Sequence, residues 1–127
     1  MGTPRVGAAR FPRPAQPVGA ALASVVAVAT ELLFASRIES ALRGAGHEVQ
    51  VVSALDEAEL EGAELIVADL EHAGLEALAG SGIPVIGYYA HIDAALRRRA
   101  EAAGLDLVVP RSRVARELPA LVARLLR

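Results

Sequence analysis

The chain has 127 residues, enough for one domain, and 54% of them are hydrophobic, enough for a sizeable core. It contains no cysteine, which excludes disulfides, thiolate metal sites and thiol catalysis and fits a cytoplasmic protein. The formal net charge of −2 argues against general nucleic-acid binding, and all thirteen basic residues are Arg, so no lysine ammonium can take part in any chemistry here.

Residues 1–22 stand apart. They carry Pro4, Pro12, Pro14 and Pro17, three Arg and no acid, without helical or strand periodicity. They are expected to be a disordered extension, or the product of an upstream start codon wrongly chosen, ahead of a domain over 23–127. A secretory signal is the rival reading, since Arg residues lead into the apolar stretch VGAALASVVAVAT. Cleavage there would remove the first strand. A membrane span is opposed by Glu31 and Arg37, which arrive too soon after the apolar run.

From residue 24 strand and helix signals alternate. SVVAVA (24–29) is a continuous β-rich run, as expected of a strand buried on both faces. Residues 30–44 place Leu33, Phe34, Ile38, Ala41 and Leu42 at helical spacing, with Gly44 or Gly46 as the stop. HEVQVV (47–52) reads as a second strand, and 54–62 as a short acidic helix or turn. ELIVADL (64–70) is the third strand, 73–82 a short helix, and IPVIGYY (83–89) the fourth strand with Pro84 at its start. Residues 91–104 form a helix with a buried stripe of Ile92, Ala95, Leu96, Ala100 and Ala103. LDLVVP (105–110) is the fifth strand. Ser112 is expected to cap a turn through Glu117, and Pro119 to open a separate last helix.

Five strands alternating with helical segments pack as a parallel sheet with right-handed crossovers and helices on both faces. They are too few to close a barrel. The expected fold is a doubly wound α/β sheet of flavodoxin-like order 2-1-3-4-5, whose functional edge lies at the carboxyl ends of its strands. Thr30 and Glu31, Asp69 to His72, Tyr88 to His91, and Pro110 to Ser112 fall there. Asp69 has a structural reading on this edge: it can accept backbone N–H groups of the next loop, cap a helix near Ala73, or pair with Arg111. A metal site from Asp69, Glu71 and His72 is disfavoured, because loop neighbours rarely converge and no fourth ligand follows.

The successive blocks VVAVATELLFASRIESALRGAGHEVQVV, ELIVADLEHAG and IPVIGYYAHIDAALRRRAEAAGLDLVVP resemble those of a response-regulator receiver (CheY-like) domain over residues 24–127. By that resemblance Asp69 stands at the phosphoacceptor position. The rest of the family's site does not carry over. Its Mg²⁺-holding acidic pair falls on Ala29 and Thr30, with Glu31 one step on. Its small hydroxyl residue falls on Tyr89, and its lysine on Val109 or Pro110, beside Arg111. A planar guanidinium is not the compact ammonium that pairs with an acyl phosphate.

The resemblance and these departures lead to the expectation of a pseudo-receiver: no enzyme, no cofactor, and a role in bacterial signal transduction through a protein partner or a homodimer. Tyr88, Arg97, Arg98 and Arg111 are its expected partner-binding residues. No nucleic acid or membrane is expected as partner, and the chain has no room for a separate output domain. Tyr89 in place of a small hydroxyl residue would lock one conformation. The alternative is a single-domain response regulator in a phosphorelay, phosphorylated on Asp69, with Mg²⁺ placed by Glu31 or Thr30. A small-ligand binder using the same crevice is a third class.

Overall fold

The computed structural model of the protein describes residues 23–90 and 93–126. The expectation for residues 1–22 and the placement of His91 and Ile92 lie outside the described residues. The Val- and Ile-rich runs form strands β1 (Ser24–Val28), β2 (Glu48–Val52), β3 (Leu65–Asp69), β4 (Val85–Tyr89) and β5 (Leu107–Pro110). Between them lie helices α1 (Leu32–Gly44), α2 (Leu75–Ala79), α3 (Ala94–Ala102) and α4 (Arg111–Leu126). All pairings are parallel and the order is β2-β1-β3-β4-β5, as the alternation of elements predicts. Each strand is one or two residues shorter than its sequence signal at one or both ends.

The pleat sorts the core into two layers. Val25, Ala27, Leu65, Val67, Ile86 and Tyr88 face Phe34, Ile38 and Leu42 of α1 and Val114, Leu118 and Leu121 of α4. Val26, Val28, Ile66, Ala68, Val85 and Tyr89 face Leu78 of α2 and Leu96 and Ala100 of α3. Asp69 continues the alternation of Leu65 and Val67, so it lies on the α1–α4 side, in register with Tyr88.

Three local expectations are corrected. Leu33 is 74% exposed and Ala41 only half-buried, because the stripe Phe34, Ala35, Ile38 and Leu42 sets the buried face of α1 and Leu33 falls beside it. On α3, Leu96 and Ala100 are buried, but Ala95 is exposed and Ala103 half-buried. Asp93 caps this helix, its side chain accepting from the Leu96 N–H at 3.0 Å. Of the helix or turn expected over 54–62 the structure holds the turn, a 3-10 turn at Leu55–Glu57. The buried amide of Gln50 accepts from Glu59 N–H at 2.8 Å and donates to Glu59 C=O at 3.1 Å, and this pair competes with a longer helix.

The last correction is the largest. The C-terminal stretch is one helix with Pro119 inside it, beginning at Arg111 directly after β5. Ser112 therefore sits in its first turn and Pro119 does not start a helix. The buried positions Val114, Leu118, Leu121 and Val122 keep a single stripe across the proline, and burial of that stripe outweighs the local break.

At the opposite end of the sheet, His47 Nδ1 accepts the Ala23 N–H at 3.1 Å. Burial holds its pKa below the ordinary 6.5, with Glu64 pulling the other way. The fold thus favours the neutral ring, so His47 stabilises it fully above about pH 6.5 and progressively less as pH falls through the lowered value. Thermal melts should decline from about pH 7 to about pH 5 less steeply in His47→Gln, which keeps an acceptor but no titration. Equal slopes would refute the linkage.

Candidate functional site

Successive strand ends bring Glu31, Asp69, Tyr88 and Arg111 to the carboxyl edge. Glu31 caps α1: its Oε1 accepts the Phe34 N–H at 2.9 Å. The same oxygen accepts from Arg111 Nη2 at 2.8 Å, across 80 residues of sequence. The Arg111 guanidinium lies 4.2 Å from the Phe34 ring centroid. Phe34 in turn meets Tyr88 at 5.2 Å between centroids, tilted by 59°. A carboxylate, a guanidinium and two rings thus tie α1 to the β5–α4 junction and to β4.

Tyr88 is only 3% exposed. Burial raises its phenol pKa well above the usual tyrosine range, Asp69 adds to the rise, Arg111 opposes it, and Glu31 adds a smaller push. The three charges therefore all act on one buried hydroxyl. This corrects the expectation that Tyr88 anchors a partner: its ring belongs to the core beneath the edge.

Asp69 is engaged on both oxygens. Oδ1 accepts the Glu71 N–H at 2.9 Å, and Oδ2 lies 2.9 Å from His72 Nδ1. Its side chain is 14% exposed while that of His72 is 54% exposed. The expected loop-capping role is present, but Arg111 pairs with Glu31 rather than Asp69. Asp69 does not cap a helix near Ala73 either, because α2 starts at Leu75 with Gly74 before it and no side-chain cap. Glu71 departs from this pair and accepts the Ala90 N–H at 3.0 Å, tying the β3 loop to the β4 loop.

The other predicted positions separate. Thr30 lines a cleft of about 440 Å³ on the β2 side with Leu32, Val52, Ser53 and Glu57. Tyr89 is buried on the α3 side, where it lines a cleft of about 340 Å³ with Asp93, Ala94, Arg97 and Pro110. Arg97 pairs with Glu101 at 3.2 Å on the exposed face of α3, and Arg98 is exposed beside it. His72 enters the site as a partner of Asp69, Phe34 as the ring under Arg111 and Glu71 as a loop tie, roles the sequence reading does not assign to them. An Asp-x-x-His spacing in the loop is the signal for the first; the other two contacts are nonlocal or made to backbone.

A hard divalent ion such as Mg²⁺ requires near-octahedral oxygen ligands at close range. Ala29 contributes no carboxylate, Thr30 sits in the β2-side cleft, and Glu31 is already neutralised by a guanidinium. Asp69 is left with both oxygens engaged. Among the described residues no group of three or more His, Asp or Glu side chains is placed to hold a metal. This donor set does not fit the ion that the receiver resemblance implies.

No family model matches the sequence, and no curated protein does. Solved structures do resemble it. A response regulator protein from Burkholderia multivorans is 21% identical with a TM-score of 0.67, covering 83% of this chain and 95% of that one. A LuxR-family DNA-binding response regulator from Staphylococcus aureus is 18% identical with a TM-score of 0.70, covering 83% and 99%. The ChxR receiver domain from Chlamydia trachomatis is 16% identical with a TM-score of 0.64, covering 82% and 95%. Among the described residues no helix is long and apolar enough to cross a membrane. Sheet order, helix placement and these likenesses agree: the chain has the five-stranded fold of response-regulator receiver domains.

Proposed function

We propose that this chain is a pseudo-receiver, a receiver-fold module that works in bacterial signal transduction by protein–protein contact and performs no phosphoryl chemistry. The observation that carries this reading is the Arg111–Glu31 pair at 2.8 Å. Phosphoryl transfer to a carboxylate sets negative charge against negative charge, and a hard cation must bridge the two. Here the second acid of the edge is held by a side chain of this chain, the Asp69 oxygens are occupied by Glu71 N–H and His72, and the sequence has no lysine. The module needs no cofactor and acts in the cytoplasm.

The face formed by α3, β5 and the start of α4 is the proposed contact surface, toward a signalling protein or a second copy of the chain. Arg97 and Arg98 stand on it, and the cleft between Tyr89, Asp93 and Pro110 offers an apolar seat. Buried Tyr89 supports a single fixed conformation of this face, since rotating a buried ring outward exposes apolar area worth on the order of 2 kcal/mol. The phosphorelay alternative requires Mg²⁺ at Asp69. In backbone amide spectra, millimolar Mg²⁺ should leave residues around Asp69 and Glu31 unshifted. Saturable shifts confined to those residues would favour the alternative.

A further inference from the structure

A second groove runs between α1 and α4 and shares Pro110 with the cleft on the proposed contact face. It has a volume of about 500 Å³ and is lined by Arg37, Arg111, Arg116, Ser112, Pro110 and Ala115 among others. No carboxylate lines it. Of its guanidinium groups, Arg111 is matched by Glu31. Arg116 donates to the Ser112 carbonyl at 3.3 Å, and its only ion-pair partner among the described residues is Glu117 at 3.9 Å, a carboxylate that also holds Arg113 at 3.2 Å. Arg37 has no hydrogen-bond or ion-pair partner among the described residues. Its helix neighbours three and four positions away are Phe34, Ser40, Leu33 and Ala41, none of them acidic. The groove therefore carries an excess of positive charge on its rims over an apolar floor of Pro110 and Ala115.

We infer that this groove receives an acidic segment of a protein partner, with carboxylates on the two Arg rims and an apolar side chain on the floor. The inference rests on the reading of the chain as a protein-contact module. A magnitude decides for a segment over a small anion. Arg116 and Arg111 have side chains 68% and 39% exposed, and an exposed ion pair contributes only about 0.2–1 kcal/mol. One small anion meeting one or two such groups gains too little to bind, whereas a segment sums several pairs and adds apolar contact. Guanidinium forks suit carboxylates through paired N–H donors.

The test uses the full chain and a short fluorescein-labelled Glu-rich peptide carrying one Leu, followed by fluorescence anisotropy. Saturable binding that weakens with salt is expected, and the same peptide with Gln for Glu should not bind. The double variant Arg37→Ala/Arg116→Ala should lose about tenfold in affinity, and Arg124→Ala, an exposed arginine outside the groove, should lose none. The proposal is overturned if the first variant binds fully, if the second abolishes binding, if the Gln peptide binds equally, or if inorganic phosphate displaces the peptide at lower concentration than the unlabelled peptide does. Loss of peptide binding with Asp69 still unphosphorylated by a phosphodonor removes the groove and leaves the pseudo-receiver reading. Phosphorylation of Asp69 with the peptide still bound does the reverse.

Discussion

Gly87→Ala should lower the melting temperature of the domain by on the order of 10 °C, although it adds a single methyl group. Gly87 lies in the middle of β4, paired with Ala68 of β3, and faces the α2–α3 layer. A Cβ there would sit 2.6, 2.8 and 2.9 Å from three atoms of the Leu70 side chain. Leu70 is only 4% exposed, so it cannot swing out to solvent. Overpacking of this kind costs about 1–3 kcal/mol. Leu70 is also the residue after Asp69, so the displacement should reach the candidate site. Thermal unfolding followed by circular dichroism checks the drop. A Leu70→Ala partner should relieve the clash, so the double variant should lose less than the sum of the singles. An unchanged melt for Gly87→Ala would mean that β3 and β4 are less tightly packed than described.

Pro119→Ala should move stability the other way, by about +2 kcal/mol. Proline in a helix interior is about 3 kcal/mol worse than alanine, because it lacks the N–H that would bond the carbonyl four residues earlier and its ring crowds that carbonyl. Against this, proline restricts the unfolded chain, an advantage of about 0.4–1 kcal/mol that the substitution removes. Pro119 is exposed, so no core packing is lost with it. Denaturant unfolding should show a higher midpoint with an unchanged slope. A lower midpoint would show that α4 is not one continuous helix through residue 119.

That proline also marks where local reading of the sequence gives out. Pro119 following Leu118 is a sound local signal for a helix start. It fails because Val114 and Leu118 before it and Leu121 and Val122 after it share one buried face, and tertiary burial outweighs the break. The strands were legible because buried parallel strands leave continuous Val and Ile runs that no surface segment imitates. With five of them in alternation with helices, the order 2-1-3-4-5 and the carboxyl edge followed from topology.

The edge was legible by position but not by partner. Asp69, Glu31, Tyr88 and Arg111 all fell on it from their strand ends, yet the pairing of Arg111 depends on where α4 starts. A helix from Ser112 leaves Arg111 in a loop, free to reach Asp69; a helix from Arg111 sets it over Phe34 and beside Glu31. The burial of Tyr88 was hidden for a related reason. Tyr88 and Tyr89 are adjacent at the strand end and alternate in face, so one ring meets Phe34 in the α1–α4 layer and the other meets the α3 layer. His72 shares the loop with Asp69, and its ring closes on the carboxylate three positions earlier, a contact that depends on the loop's conformation.

The measurement that bears most directly on the pseudo-receiver reading is the intact mass of the protein after incubation with acetyl phosphate and millimolar Mg²⁺. With Glu31 held by Arg111 and Asp69 held by Glu71 N–H and His72, the mass should stay that of the unmodified chain, and Asp69→Asn should behave identically. A phosphoryl increment that appears in the native protein and vanishes in Asp69→Asn would contradict the account.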